Sequence, residues 1–263
     1  MAERHSRSFD QRPFLSHRHG FLRPESLAWV ALLLALIFTF GAWYVASDVL
    51  THRVNDRFVY RAEKERDNIL ARMRVYEQIL RSGAAFFQAS DSVSRSEWRS
   101  YIEHLELDDT LPGIQGIGFA KLVAPADRAV HERAIRGEGF ADYKIWPAGE
   151  RETYTSIVYI EPFIGRNQRA LGYDMFSEAQ RRDAMERARD TGRPALTGKL
   201  VLVQEIEEGI QAGFLIYLPV YRKDLPQDSI TERRNALLGY VFMPFRADDL
   251  LHTIIGKNHK DVD

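Results

Sequence analysis

The feature that most constrains this chain is an uninterrupted apolar run near its N-terminus. Residues 27–47 read LAWVALLLALIFTFGAWYVAS and contain no Asp, Glu, Lys, Arg or His. At about 1.5 Å of rise per residue, a helix of this length spans the roughly 30 Å hydrocarbon core of a bilayer. Only a helix can cross there, because every backbone polar group must be paired within the segment. The run predicts a transmembrane helix, with Trp29, Trp43 and Tyr44 near its two ends, where amphipathic rings prefer the interface.

A cleaved signal peptide and a buried core helix are the alternative interpretations of this run. The first fits poorly, because the mostly polar residues 1–26 precede the run and no A-x-A-type site follows WVALLLALIFTF. The second is the ordinary structure of an apolar segment in a soluble protein. We interpret the run as an uncleaved anchor, with a cytoplasmic tail over residues 1–26 and a transmembrane helix over residues 27–47.

Basic residues flank the run on both sides, so charge alone leaves its orientation open. The basic residues nearest to it are Arg7, Arg12, Arg18 and Arg23 before it, and Arg53, Arg57, Arg61, Lys64 and Arg66 after it.

Composition and motifs exclude several classes of chemistry. The chain has no cysteine, which excludes disulfides, thiolate nucleophiles and cysteine-ligated metals. Its formal net charge of -1 gives no support to nucleic-acid binding. His104, His131, His252 and His259 lack metal-binding spacing, and no Walker loop or G-x-S-x-G motif is present. We therefore expect neither a cofactor nor a metal.

A long helical pattern follows the apolar run, over residues 48–90. This segment has no proline, and its apolar residues recur at three- and four-residue spacings, which places them in one stripe of a stalk helix. The stripe consists of Val54, Phe58, Ala62, Ile69, Met73, Tyr76, Leu80 and Phe87. It predicts weak homodimerisation through a short coiled coil, or packing of the helix on its own domain, and both remain open.

Helix and strand patterns alternate in the remainder of the chain. Ser94-Arg95-Ser96-Glu97 has the pattern of a helix capping box. Strand patterns begin at Ile114, Tyr143, Tyr154, Lys199, Ala212 and Leu237. Helix patterns lie between several of them, and a last one covers residues 248–255. This order predicts an α+β fold, with an antiparallel sheet and helices on one side of it.

Five segments of this region resemble the extracytoplasmic CHASE sensor domain, in that domain's order and spacing. They are GIQGIGFAKLV, YTSIVYIEPF, ALGYDMFSE, RARDTGRPALTGKLVLVQE and GFLIYLPVYR. The resemblance implies a long N-terminal helix, PAS-like sheet modules and a small-molecule pocket in the membrane-distal module, within a domain over residues 91–263. It also implies an output domain beyond a second membrane helix, either a histidine kinase or a diguanylate cyclase.

The resemblance further implies where a ligand would bind. The key ligand-binding aspartate of the family's plant cytokinin receptors falls near Pro162, beside Glu161, and a pocket threonine of those receptors matches Thr197. This chain therefore lacks that aspartate at the matching position. The resemblance implies a pocket in the same place that binds a different ligand.

Five side chains are the candidate ligand contacts: Tyr159, Glu161, Asp174, Thr197 and Tyr217. The plain alternatives are a turn cap for Asp174, a solvated strand end for Glu161, and core packing for the two tyrosines.

The expected pocket is lined by strands over residues 154–161, 199–204 and 214–217, with Thr197 at its edge and Tyr159 beside the same cavity. A run of arginines on the helix after Ser177 is interpreted as a solvated helix face rather than an anion site. These arginines are Arg181, Arg182, Arg187 and Arg189.

Together these observations predict a sensor region anchored in the cell inner membrane, with a cytoplasmic N-terminus and an extracytoplasmic domain. It would bind a small molecule and signal to an output domain outside this sequence. A membrane-anchored enzyme with a scattered active site and a ligand-independent dimerisation module are the alternatives. We also expect the sensor domain to continue past Asp263, which would leave apolar residues of the last helix exposed. We expect exposure of Leu250, Leu251, Ile254 or Ile255.

Overall fold

The first helix, α1, spans Pro24–Ala89. The structure, a computed structural model, describes residues 24–106, 113–204 and 212–256. The chain divides into two compact units, Met1–Ala62 and Glu63–Asp263, which are described separately. In the first unit, Ser26–Ser47 has a mean hydropathy of 2.0 and none of it is buried. By length and composition this part of α1 can cross a membrane, as the sequence predicts.

The second unit contains short helices around one sheet. The helices after α1 are α2 Arg95–Glu103, α3 Arg128–Gly137, α4 Ala179–Thr191, α5 Ile230–Ala236 and α6 Ala247–Gly256. The strands are β1 Ile117–Val123, β2 Tyr154–Glu161, β3 Ala195–Leu196, β4 Leu200–Val201, β5 Ala212–Tyr221 and β6 Leu237–Arg246. The strand predicted at Tyr143 is absent, since Trp146 of that segment forms an isolated bridge with Tyr173 and its other residues are loop.

All strand pairs are antiparallel, in the order β2-β1-β6-β5-β3, and β4 also pairs with β5. In β6, Val241 and Met243 belong to one core cluster, whereas Tyr240 and Phe242 belong to another. Successive side chains of a strand point to opposite faces, so the sheet is apolar on both faces and both must be covered.

Helices cover the two faces of the sheet. The end of α1 and α2 pack on one face, called the α2 side, through Tyr76, Leu80, Phe87 and Trp98. α4 packs on the opposite face, called the α4 side, through Ala184, Met185 and Ala188. The predicted α+β fold with an antiparallel sheet is confirmed. The expectation of helices on one side is wrong, because a sheet with two apolar faces needs cover on both.

A β-bulge in β2 decides which face its side chains occupy. Phe119 pairs with Tyr159 and Ala120 pairs with Ile157, which leaves Val158 as an extra residue. Because a bulge opposes two residues to one, Val158 and Tyr159 both pack on the α2 side. The alternation of β2 is therefore shifted by one residue beyond the bulge.

The apolar residues of α1 and α6 are buried in part. In α1, Tyr76 and Leu80 are buried and Ile69 and Met73 pack on the same core, so this part of the stripe packs on its own domain. In α6, Leu250 is 5% exposed, so it is not among the exposed residues of this helix. The side chains of Val54, Leu251, Ile254 and Ile255 lie outside the described residues.

Candidate ligand-binding site

Asp174 is a fully buried carboxylate, with 0% of the residue exposed. Its Oδ1 accepts hydrogen bonds from the N–H of Thr155 at 2.8 Å, the hydroxyl of Thr155 at 3.3 Å and the N–H of Phe176 at 3.1 Å. Its Oδ2 lies 3.4 Å from Arg151 Nη1, an ion pair without a hydrogen bond. The carboxylate ties β2 to the turn Met175–Ser177, which it also caps.

Arg181 is a buried cation on the α4 side, with 3% of the residue exposed. Its Nη1 donates to the hydroxyl of Tyr173 at 3.2 Å, and its Nη2 donates to the carbonyl of Val201 at 2.9 Å. Its Nε has no hydrogen-bond partner among the described residues. The carboxylate of Glu178 lies 3.6 Å away and is 34% exposed, so it balances the buried charge only in part.

The expectation that the arginines of α4 form a solvated face is wrong for Arg181. It precedes the buried residues Ala184 and Ala188 by three and seven positions, so it lies on the face that packs on the sheet. Arg182 and Arg187 are exposed, as expected.

Tyr217 lies fully buried on the α4 side, in β5. Its hydroxyl donates to the sulfur of Met175 at 3.3 Å. Burial raises the pKa of Tyr217 well above its ordinary value, against the lowering effect of the positive charge of Arg181. The phenol therefore remains neutral and can donate a hydrogen bond, although a thioether is a weak acceptor.

Thr197 joins the end of β3 to β5. The residue is 5% exposed. Its N–H donates to the carbonyl of Leu215 at 2.9 Å, and its hydroxyl oxygen accepts from the N–H of Leu215 at 3.0 Å. The hydroxyl thus holds the strand pairing in register while its own O–H group remains a donor.

The structure does not bring Tyr159 and Glu161 together with Tyr217. The Tyr159 hydroxyl donates to the carbonyl of Val93 at 2.8 Å, on the α2 side. Glu161 is 5% exposed and accepts from Arg99 of α2 at 3.3 Å. The predicted single pocket is wrong in this respect, because the bulge at Val158 turns these two side chains to the face opposite Tyr217.

A buried polar chain that the sequence did not indicate lies between α3 and β2. His131 Nε2 is 2.8 Å from the Tyr143 hydroxyl, which is 2.8 Å from Ser156 Oγ. Burial lowers the pKa of His131 to about 4 and raises the pKa of Tyr143 to about 12. The spacing of His131 with buried Ile135 on α3 is the one signal that could have placed it in the interior.

A cavity of 460 Å³ opens on the α2 side and is lined by Ser94, Arg95, Ser96, Arg99 and Glu138. Two further cavities open near the other groups. One, of 570 Å³, is lined by Phe140, Tyr143, Trp146 and Leu171 together with polar residues of the loop after α3. The other, of 380 Å³, lies between α4 and the loop before β2. Within the described ranges, no cluster of three metal-ligating side chains occurs.

Comparison with known proteins gives a family assignment. The CHASE domain profile matches residues 91–263, more than half of the chain. Probable histidine kinase 4 of Oryza sativa subsp. japonica is 29% identical over 145 residues, which are 55% of this chain and 14% of that protein. Probable histidine kinase 6 of the same organism is 22% identical over 246 residues, 91% of this chain and 24% of that protein. The chain thus spans about a quarter or less of the length of these relatives.

Among solved structures, a partial match is the ligand-binding domain of the Pseudomonas aeruginosa PAO1 amino acid chemoreceptor PctC in complex with GABA. It has a TM-score of 0.41 and 12% identity, and the match covers 72% of this chain and 64% of that chain. The profile match over residues 91–263 carries the assignment, and it agrees with the resemblance found in the sequence motifs. This chain belongs to the CHASE domain family, a family of sensor domains.

Proposed function

We propose that this chain is the membrane-anchored sensor region of a signalling receptor, and that its CHASE domain binds a small molecule outside the cytoplasm. The observation that carries the proposal is a helix able to span a membrane at Ser26–Ser47, followed by a CHASE domain over residues 91–263. A sensor outside the cytoplasm needs a contiguous element to carry a conformational change across the bilayer. The anchoring membrane would be the cell inner membrane. The output domain would be a histidine kinase, as the relatives are named, or a diguanylate cyclase.

The ligand site is proposed on the α4 side, around Tyr217 and Arg181, with Asp174 and Thr197 supporting it. The Tyr217 hydroxyl has a weak acceptor, and Arg181 Nε has no partner among the described residues. A buried donor without a good acceptor costs about 1–3 kcal/mol, so a ligand oxygen or ring nitrogen that accepts from both would bind favourably. Tyr159 and Glu161, proposed from sequence, then take no direct part.

Thermal unfolding of the full chain in detergent micelles, with a library of small polar metabolites, tests this proposal. A ligand of the folded state raises the Tm. Tyr217→Phe removes one hydroxyl and should weaken binding of the identified ligand roughly tenfold. Tyr101→Phe is the matched control, because its hydroxyl contacts Ser82 of α1. Unchanged binding by Tyr217→Phe would place the ligand elsewhere.

Homodimerisation through the stalk helix is also proposed, through residues other than the predicted ones. Leu70 and Val75 are 44% and 48% exposed on α1, whereas Ile69 and Met73 pack on the sensor core. Val75→Glu should reduce cross-linking between copies and leave the Tm unchanged. Ile69→Glu should instead lower the Tm, because it places a charge against the core.

A further inference from the structure

The cavity between α4 and the loop before β2 carries a concentration of guanidinium groups. This cavity, called the arginine cavity, has a volume of 380 Å³ and is lined by Arg151, Glu152, Thr153, Phe176, Arg182, Glu186 and Arg189. We infer that the arginine cavity binds a small oxyanion, a carboxylate or a phosphate group, at a site separate from the ligand site proposed around Tyr217.

The helix and the loop each contribute part of the lining by ordinary geometry. Arg182, Glu186 and Arg189 are four and three residues apart, so they share one face of α4. Arg151 comes from the opposite wall, where its Nη1 donates to the carbonyl of Pro147 at 3.2 Å and pairs with buried Asp174 at 3.4 Å. Two walls therefore present guanidinium groups to the same space.

The lining carries three arginines against two carboxylates, Glu152 and Glu186, and Glu186 lies 3.9 Å from Arg189. Arg151 is paired with Asp174, and Arg189 donates to Asp190 at 2.7 Å. Arg182 donates to the carbonyl of Phe176 at 3.1 Å and has no carboxylate partner in the part of the chain that the structure describes. That bond fixes the Arg182 side chain at the cavity while its charge remains available. A planar guanidinium with free N–H groups binds carboxylate and phosphate oxygens in a two-pronged geometry.

A buried hydroxyl near the cavity supports the same ligand chemistry. Tyr240 is 0% exposed, and its hydroxyl has no hydrogen-bond partner among the described residues. Its ring lies 6.3 Å from that of Phe176, a lining residue. Burial raises the pKa of Tyr240. The charge of Arg189 lowers this pKa, and the charge of Glu186 raises it. The neutral phenol is therefore a donor on a residue packed against Phe176, and an oxyanion is a strong acceptor.

Arg187 provides the comparison that separates a site from general attraction by a basic helix. It is exposed on the same helix and donates to a backbone carbonyl, that of Leu196, at 2.8 Å. It differs from Arg182 in that it does not line the arginine cavity. Arg182→Gln and Arg187→Gln remove the same charge from the same helix and differ in their position relative to the cavity.

Calorimetric titration of the full chain in detergent micelles with malonate, and separately with inorganic phosphate, tests the inference, with chloride at matched ionic strength as the reference. We expect millimolar or tighter binding of at least one anion, and the preferred anion distinguishes carboxylate from phosphate. Arg182→Gln should weaken it roughly tenfold, and Arg182→Lys less. Arg187→Gln should change it less than about twofold.

Two results would overturn the inference. The first is the absence of binding by both anions to a chain whose Tm is normal. The second is equal weakening by Arg182→Gln and Arg187→Gln, which would indicate non-specific attraction to the helix. Tyr240→Phe is a second test variant, which leaves the charge of the cavity unchanged. It should weaken anion binding without lowering the Tm. Neither result would bear on the ligand site around Tyr217, which Tyr217→Phe tests.

Discussion

At the scale of single residues, burial of His131 makes the stability of the sensor unit depend on pH. Burial lowers the pKa of His131 from 6.5 to about 4, with Lys121 lowering it further and Glu132 raising it. Between these values the unfolded chain binds more protons than the folded chain. We predict that this effect is absent above pH 6.5 and removes about 3 kcal/mol from the free energy of unfolding as the pH falls to about 4.

Urea unfolding of the full chain in detergent micelles, near neutral pH and near pH 4, measures this effect. His131→Gln is the control, because glutamine does not titrate and still offers a polar group to the Tyr143 hydroxyl. The loss of stability on acidification should be smaller in the variant by about 3 kcal/mol, since carboxylates contribute equally to both. Parallel pH curves for the two proteins would contradict the prediction.

Asp174 is predicted to contribute mainly to the stability of the fold. Its effect on ligand binding is expected to be indirect, through the residues that it contacts. Asp174→Asn keeps the shape but turns an amide N–H₂ group towards Arg151 in place of an anionic oxygen. We expect the free energy of unfolding to fall by about 2 kcal/mol, because a buried charge-assisted contact is lost. Asp183→Asn, at an exposed position of α4, should change it by less than about 0.5 kcal/mol. Denaturant unfolding of both variants measures these changes. An Asp174→Asn variant that keeps its stability but loses ligand binding would show that Asp174 acts in binding rather than in stability.

The residue scale also explains which site residues could be predicted. Asp174 was predictable as a turn cap from its place after Gly-Tyr, and the structure gives it that role. Arg181 was not, because a charged residue on a polar helix is ordinarily solvated. Its spacing from Ala184 and Ala188 was the available signal, but alanines alone mark a buried face weakly.

At the scale of elements, β2 shows why adjacency in a predicted strand does not give adjacency in a pocket. Strict alternation would place Tyr159 on the same face as Ile157, on the α4 side. The bulge at Val158 reverses this beyond Ile157. Nothing in YTSIVYIE marks the extra residue, because it contains no glycine and each of its β-branched residues fits either register. The position of the bulge depends on pairing with β1, a non-local property.

The end of α1 is predicted to be core of the sensor unit, and this can be tested with two identical substitutions. Leu80 is 0% exposed and Leu70 is 44% exposed on the same helix. Leu80→Ala should lower the free energy of unfolding by about 3 kcal/mol through lost burial and a residual cavity. Leu70→Ala should change it by less than about 0.5 kcal/mol. Similar values for the two variants in urea unfolding would show that this part of α1 does not support the domain.

At the scale of the whole molecule, the class of the fold was predictable because different kinds of signal agreed. The apolar run indicated a helix by length and composition, and five motifs in family order indicated the sensor domain. The matched range, residues 91–263, confirms the second. The covering of both sheet faces was not predicted, because it depends on which strands lie in the centre of the sheet. The central strand is β6, which is the last strand in the chain.

Orientation in the membrane is the remaining prediction at this scale. We predict a cytoplasmic N-terminus and an extracytoplasmic sensor domain, because a CHASE domain senses outside the cytoplasm while the flanking basic residues are nearly balanced. Alkaline phosphatase fused after Lys223 should be active, and the same enzyme fused after Arg18 should be inactive. Because the charge balance is close, replacing the arginines of residues 1–26 with glutamine should invert a measurable fraction of the molecules. Phosphatase activity after Arg18 in the unmodified chain would place the sensor domain in the cytoplasm and contradict the proposed function.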